Sequence, residues 1–240
     1  MHRFAPRRTP NPIAETSLMQ TPRAIAAALS VLLLVSTATA CSTTAPRVAT
    51  QVSTTQRTVL LLGDSLSSAH RLPEGAGWVT LLQKRLASGS ALPPTIINVS
   101  RGGKMVADAI AEAPALLAEH APETVIIELG GNDAIMGADA EAIERDLTVL
   151  VDMAQAADAR VVILGFDIPA AFDKNGSAAM LRGVYQRVAA AQGVTLLPSL
   201  LAGISNDPNR LLDDGIHPNA DAQAAVLDNA WGTLRPALLD

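Results

Sequence analysis

The stretch TVLLLGDSL, residues 58–66, is an apolar run that ends in a glycine and two polar side chains. A short, continuous run rich in Leu and Val is typical of a strand buried on both faces of a parallel sheet. The Gly-Asp-Ser that follows is typical of a turn at the carboxyl end of such a strand. The stretch therefore predicts a buried strand with a polar loop directly after it, and the rest of the chain is interpreted from this unit.

The same unit recurs along the chain. Four further apolar runs are predicted as strands, at residues 95–100, 124–130, 160–166 and 194–198. Segments of helical period lie between them, and residues 139–156 show it best because their apolar side chains recur on one stripe. Strands that alternate with helices predict an α/β domain over residues 58–240, with three layers (α/β/α) and a five-stranded parallel sheet.

Polar loops follow three of the predicted strands, at residues 63–66, 98–103 and 130–133, and a fourth polar segment, 213–219, precedes the last helix. Right-handed crossovers place the carboxyl ends of parallel strands at one edge of the sheet. We therefore expect these four segments to form one site.

The residue types in these loops suit acyl transfer, which needs a nucleophile, a base and a group that orients the base. Ser65 supplies a hydroxyl at a strand-to-helix turn, and His217 has Asp214 three residues before it. The chain order Ser, Asp, His matches one known arrangement of such triads. Each part also has a plain alternative: Ser65 as a turn or cap residue, and Asp214 as a cap of the final helix.

An oxyanion also needs hydrogen-bond donors. The backbone N–H groups of Ser65 and Gly103 and the side-chain amide of Asn132 are the candidates, each placed after its own strand. Taken singly, Gly103 reads equally well as a loop glycine and Asn132 as an Asx-turn residue.

These blocks resemble those of the SGNH hydrolase superfamily, the GDSL esterases and lipases. The matching positions are Ser65 in GDSL, Gly103 in the second block, Asn132 in GGND, and Asp214 with His217 in DGIHPN. The likeness covers roughly residues 57–238 and is strongest to bacterial periplasmic thioesterases/lysophospholipases and arylesterases. It implies a flavodoxin-like fold and a serine esterase that cleaves small aryl or acyl esters, thioesters or lysophospholipids through an acyl-enzyme.

The chain departs from that branch after Gly103, where Lys104 and Met105 replace the usual Asp and Thr. Two interpretations are open. The Lys104 ammonium favours anionic or phosphate-bearing substrates, or its aliphatic stem lies on the surface and carries the charge to water.

Composition narrows the other possibilities. Residues 41–240 hold 14 basic and 22 acidic side chains, a balance that excludes nucleic acid as a partner. One Cys and three widely spaced His after residue 40 argue against a metal site, and the absence of phosphate-binding glycine motifs argues against a nucleotide cofactor. A small acyl ester is the expected partner.

Two rival functions use the same residues differently. A carbohydrate O-acetylesterase has the same constellation, although aromatics are only 2% of the chain, and only Phe166 and Phe172 fall near the predicted loops. A non-catalytic binding lipoprotein predicts the loss of a triad residue, and Ser65, Asp214 and His217 are all present.

Residues 1–40 read as a signal peptide, with the apolar run 24–35 after Arg23 and small residues before Cys41. Cys41 is either the lipidated residue of a lipobox or lies just beyond an ordinary signal-peptidase site, and Met1 and Met19 both fit as the start. Residues 41–57 are predicted to be a flexible tether. The sequence thus predicts an exported, periplasmic protein, anchored to the membrane through a lipid on Cys41 under the first interpretation and without a membrane contact under the second.

Overall fold

The structure, a computed structural model, describes residues 56–240. The predicted signal peptide, Cys41 and nearly all of the predicted tether lie outside the described residues. Five strands are present, in chain order β1 (Thr58–Gly63), β2 (Thr95–Asn98), β3 (Thr124–Glu128), β4 (Arg160–Leu164) and β5 (Thr195–Leu197). They form one parallel sheet in the order β2-β1-β3-β4-β5, which confirms the predicted α/β class and strand number.

Six helices and one 3₁₀ turn connect and cover the strands. They are α1 (Trp78–Gly89), α2 (Val106–His120), α3 (Gly131–Ile135), α4 (Ala140–Ala156), α5 (Ser177–Gln192), the 3₁₀ turn Ala220–Ala222 and α6 (Gln223–Leu239). The helices α2, α4 and α5 pack side by side as one layer, and α1 packs against α6 as the other. Within residues 56–240 no helix has the length and apolarity needed to cross a bilayer.

The helix predicted for residues 139–156 shows how local sequence sets an element. The Asp139 side chain accepts a hydrogen bond from the Ala142 N–H at 2.8 Å, which caps the first turn of α4. The predicted stripe is buried, and its members are Ile143, Leu147, Leu150, Val151 and Ala154. Capping and periodicity agree here, so this prediction is confirmed.

Two details of the predicted strands are wrong. The edge strands β2 and β5 are only partly buried, because a strand at the end of a sheet lacks one neighbour and is incompletely covered by helices. Apart from β1, which ends at Gly63 with its run, the strands also end earlier than their apolar runs. The second strand stops at Asn98, whose side chain accepts from the Ser100 N–H and donates to the Ser67 carbonyl, and the third stops before Gly130, where φ is +102°.

The strand order places β1 between β2 and β3. From the carboxyl ends of β1 and β3, the chain therefore continues toward opposite sides of the sheet. In open α/β sheets a crevice forms at this reversal and is the usual place for a ligand. The polar loops after β1, β2 and β3 all reach it.

Candidate active site

Ser65 and His217 meet at the carboxyl end of β1, although 152 positions separate them in the chain. The hydroxyl oxygen Oγ of Ser65 lies 2.8 Å from Nε2 of His217. Backbone bonds from Ser68 to Asp64 and from His70 to Ser65 turn the chain directly after the strand. This turn directs the serine hydroxyl away from the sheet and toward the imidazole.

Asp214 binds the other side of the imidazole, with Oδ2 2.9 Å from Nδ1 of His217. Its second oxygen, Oδ1, accepts the backbone N–H groups of Ile216 at 2.9 Å and His217 at 3.0 Å. Partial burial raises the pKa of Asp214, but these backbone bonds and the imidazole outweigh burial and lower that pKa to about 2. The carboxylate is therefore ionised at neutral pH and fixes both the ring orientation and the tautomer that leaves Nε2 facing Ser65.

The segment that carries Asp214 and His217 is closed by its own backbone bonds. The Leu212 N–H donates to the His217 carbonyl at 2.7 Å, and the Asn219 N–H donates to the Arg210 carbonyl at 2.8 Å. We call residues 210–219 the histidine clamp. The Asn219 side chain, which accepts from the Ala222 N–H at 3.1 Å, caps the following 3₁₀ turn, so the alternative of Asp214 as that cap is wrong.

Asn132 stands in the first turn of α3, beside the serine. Its amide nitrogen Nδ2 donates to Asp64 Oδ2 at 3.0 Å and to the Lys104 carbonyl at 3.1 Å. Both acceptors are distant in the chain, so the amide nitrogen joins the loops that follow β1 and β2. An oxyanion on Ser65 would compete with the Lys104 carbonyl for one of the two amide hydrogens.

Gly103 lies in the turn after β2 with φ at +71°, in the left-handed region. A Cβ there would meet nothing within 4 Å, so it is the backbone conformation that favours glycine. The residue is exposed, and the turn is closed by the Lys104 N–H donating to the Arg101 carbonyl at 3.3 Å.

Two buried carboxyl groups lie beneath the serine, and sequence reasoning missed their role. Glu128 Oε2 accepts from the Ser67 hydroxyl at 2.8 Å and from the Asp64 N–H at 3.3 Å. Burial raises the pKa of Asp64 to about 6, and burial together with the Asp64 charge raises the pKa of Glu128 well above its usual value. A protonated Glu128 lets Asp64 ionise and accept the Asn132 amide. An acidic residue inside the otherwise apolar run TVIIELG was the available signal.

A small apolar pocket opens beside Ser65 and has a volume of about 100 Å³. Its apolar walls are Leu66, Ile135, Phe166 and Ile216. The Phe166 ring lies against the backbone of Gly131, where a Cβ would come within 2.7 Å of the ring, so this glycine admits the ring that bounds the pocket.

His70 and Arg71 flank the triad, and the sequence analysis gave neither a role. The His70 ring centroid is 4.7 Å from that of His217, and Arg71 binds Asp213 at 2.7 Å and Asp214 at 3.3 Å. Potential ligand atoms of His70, Asp214 and His217 lie within 4.8 Å of one another. The argument against a metal site from the wide spacing of the histidines in sequence therefore does not apply to the folded chain. The Arg71 guanidinium on the same carboxylate opposes a second cation there.

Both interpretations of Lys104 are wrong. Its side chain is 0% exposed, and its Nζ lies 2.7 Å from Glu112 Oε2 and 3.2 Å from the Val99 carbonyl. The ammonium points beneath α2, toward neither substrate nor water, because an ionised partner on α2 and the Val99 carbonyl are available there.

A parallel α/β sheet with a serine, an imidazole and a carboxylate in hydrogen-bonded series at its carboxyl edge defines the class of the α/β serine hydrolases.

Comparison with known proteins identifies the group within that class. The family model for the GDSL-like lipase/acylhydrolase family matches residues 61–225. The esterase TesA of Pseudomonas aeruginosa is 40% identical over 182 residues, which are 76% of this chain and 90% of that protein. Thioesterase 1/protease 1/lysophospholipase L1 of Escherichia coli is 34% identical over 179 residues, covering 75% and 84%. A crystal structure of TesA superposes with a TM-score of 0.72 at 38% identity, covering 76% of this chain and 100% of that one.

The chain belongs to the GDSL-like lipase/acylhydrolase family, and it is a hydrolase that acts on ester bonds. The resemblance found in its sequence blocks is thereby confirmed.

Proposed function

We propose that Ser65 is the nucleophile of a serine esterase that cleaves small carboxylic esters and thioesters, with His217 as the base and Asp214 as its orienting partner. The observation that carries this assignment is the unbroken series of two hydrogen bonds, 2.8 Å from Ser65 to His217 and 2.9 Å from His217 to Asp214. Nucleophile and base are within the distance that proton transfer requires.

The geometry gives each group a step. His217 Nε2 takes the hydroxyl proton as Ser65 Oγ attacks the acyl carbon, and Asp214 stabilises the imidazolium that results. His217 then donates that proton to the leaving alkoxide or thiolate, which leaves an acyl group on Ser65. A water molecule, deprotonated by His217 in the same way, attacks the acyl carbon; the bond from that carbon to Ser65 Oγ breaks, Oγ takes the proton back from His217, and the acid is released.

The oxyanion forms twice, once in each half of the reaction. We assign its donors to the backbone N–H groups of Ser65 and Gly103 and to the Asn132 amide. The position of Asn132 supports this assignment, because its Nδ2 is held beside Ser65 by Asp64 and by the Lys104 carbonyl.

The pocket beside Ser65 supports a substrate with a short or planar acyl part. Its volume is about 100 Å³, and its walls are largely apolar. Relatives whose names are esterase and thioesterase/lysophospholipase are consistent with aryl, acyl and thioester substrates and with lysophospholipids. A sugar O-acetate is the second candidate, since an acetyl group fits the same pocket.

The test combines activity with labelling of the serine. We expect Ser65→Ala to lose about 10⁵-fold or more in kcat on p-nitrophenyl butyrate and to lose labelling by a fluorophosphonate probe. Ser68→Ala, in the same turn, is the matched control and should retain activity and labelling. Full activity in folded Ser65→Ala overturns the assignment, and an unlabelled wild-type protein without activity points to a binding protein.

A substrate series separates the two ester classes. Rates on p-nitrophenyl acetate, butyrate, octanoate and palmitate, on the butyryl thioester, on lysophosphatidylcholine and on acetylated xylan should be compared. Acetylated xylan hydrolysed faster than every acyl or aryl ester would establish the O-acetylesterase.

We also propose that the hydrolase works outside the cytoplasm, in the periplasm, after removal of residues 1–40, and that Cys41 carries a lipid. The support is the order of basic, apolar and small residues before the only Cys. Mass spectrometry of the mature amino terminus tests this: a diacylglycerol on Cys41 that Cys41→Ser abolishes supports anchoring, and an unmodified Cys41 at the terminus overturns it.

A further inference from the structure

Lys104 is a charged residue in an unusual place. Its side chain is 0% exposed, yet it lies in the loop that follows the edge strand β2. A buried ammonium is costly unless it is paired and hydrogen-bonded. The Lys104 ammonium has both partners, because its Nζ lies 2.7 Å from the Glu112 carboxylate on α2 and 3.2 Å from the Val99 carbonyl. One cation therefore joins the beginning of the loop to α2.

The backbone of the same residue touches the site. The Lys104 carbonyl accepts from Asn132 Nδ2 at 3.1 Å, and Gly103 precedes it directly. A single residue therefore links α2, through its side chain, to the amide beside Ser65, through its main chain.

Other charged groups surround this pair. Arg101 binds Glu112 at 2.6 Å and Asp108 at 3.4 Å from the solvent side. Desolvation of Glu112 raises its pKa, but the hydrogen bond and charge of Lys104, followed by Arg101, outweigh it and lower that pKa. Glu112 is thus ionised at neutral pH and holds the buried cation and the exposed one together.

We propose that Lys104 is a positioning residue for the oxyanion hole: its ion pair with Glu112 fixes the peptide 103–104, and through it the Gly103 N–H and the Asn132 amide. The inference rests on the proposed function of those two donors. Oxyanion donors act only when they are fixed where charge develops, so a loosened peptide lowers the rate of the chemical step while leaving substrate binding nearly unchanged.

The first experiment compares two cations that share one acceptor. Lys104→Met removes the buried charge at similar length, and we expect kcat to fall about 10-fold with KM within about 2-fold of wild type. Arg101→Gln, the matched control, removes the exposed partner of Glu112 and should change kcat less than about 2-fold. Equal kcat for Lys104→Met and wild type overturns the proposal, as does a loss confined to KM.

The second experiment asks whether Lys104 acts through Asn132. In an Asn132→Ala background, Lys104→Met should cost less than about 3-fold in kcat, because the amide that it positions is gone. Full additivity of the two losses means that Lys104 does not act through the Asn132 amide, and it overturns the proposal.

Glu112→Gln keeps the test decisive if Lys104→Met does not fold, because Glu112 is 38% exposed and its amide form preserves the shape. Glu112→Gln should lower kcat about 5-fold when Asn132 is present and by a smaller factor in the Asn132→Ala background. An unchanged kcat in folded Glu112→Gln overturns the proposal. The proposed function fails separately, through an active Ser65→Ala.

Discussion

The two halves of the site are built differently. The acid–base half, Asp214 with His217, sits in the histidine clamp, is partly exposed and is held by bonds between residues two or three positions apart. The amide half, centred on Asn132, depends on Asp64, Glu128 and Lys104, which come from separate loops and strands and are almost fully buried. Local bonds orient the imidazole of His217, whereas tertiary packing of charged groups orients the Asn132 amide.

This difference predicts two kinds of failure. Damage to the acid–base half should remove the chemistry and leave the fold intact. Damage to the amide half should reduce the rate less but also affect stability, because each polar contact there is buried.

The largest expected effect is that of Asp214→Asn. An amide at this position turns an N–H toward Nδ1 of His217 and favours the wrong tautomer, so kcat should fall about 10⁴-fold. Steady-state kinetics at pH 7.5 measure this, with thermal melting as the companion readout. A melting temperature lowered by more than about 10 °C breaks the contrast, because the carboxylate would then be structural as well.

Asn132→Ala comes next, with an expected loss of about 10²- to 10³-fold in kcat. It also leaves the Asp64 carboxylate without one of its partners, so we expect a measurable loss of unfolding free energy in urea. Gln83→Ala is a control, since that side chain bonds only the backbone of Pro94 and Ile96, away from the serine. A large rate loss in the control would show that the assay reports folding.

Glu128→Gln tests the buried carboxyl pair through pH. The folded pKa values of Asp64 and Glu128 are raised, so folded protein binds more protons than unfolded protein once the pH exceeds about 4, and stability falls as the pH rises. The variant lacks one of these groups. Wild type should therefore lose unfolding free energy relative to Glu128→Gln as the pH rises from 4 to 7.

This account is contradicted if the unfolding free energies of the two proteins, measured in urea, differ by the same amount at every pH from 4 to 7. Asp214 does not interfere in that window, because its lowered pKa makes stability rise with pH only between about 2 and 4.

The smallest expected effect is that of Arg71→Gln. The guanidinium is 46% exposed and lies 3.3 Å from Asp214, so water and salt screen it. We expect kcat/KM to fall about 2-fold at low salt and the difference to vanish at 0.5 M NaCl. Arg85→Gln, which breaks an exposed pair with Asp228 elsewhere, is the control and should show no change.

The sequence located the residues of the acid–base half and Asn132 itself, but it did not predict the buried charged groups that hold Asn132, and the difference has a physical reason. Asp214 and His217 are close in the chain, and Ser65 follows a buried strand, so periodicity and spacing locate them. Glu128 and Lys104 take their partners from distant segments, and no local pattern states which way a side chain turns. The burial of Lys104 depends on α2 presenting Glu112, which is a property of packing.

The fold prediction shows the same division, between features that local sequence determines and features that contacts with other segments determine. Runs of β-branched and Leu residues located all five strands, but their ends depend on side-chain bonds such as those of Asn98 and on the backbone of Gly130. His70 was missed because a histidine in a turn has no signal until its ring is seen beside that of His217.

The histidine clamp has a consequence for how such an enzyme changes over time. Because residues 210 and 219 are tied to each other, the distance from Asp214 to His217 is set inside the loop and does not depend on what precedes it. The largely exposed residues 206–209, which precede Arg210, can therefore accept insertions that reshape the entrance for new leaving groups, whereas Leu200, Leu201 and Ile204 before them are buried in the core. Substrate range can thus change in one length of chain while the adjoining length preserves the contact between Asp214 and His217.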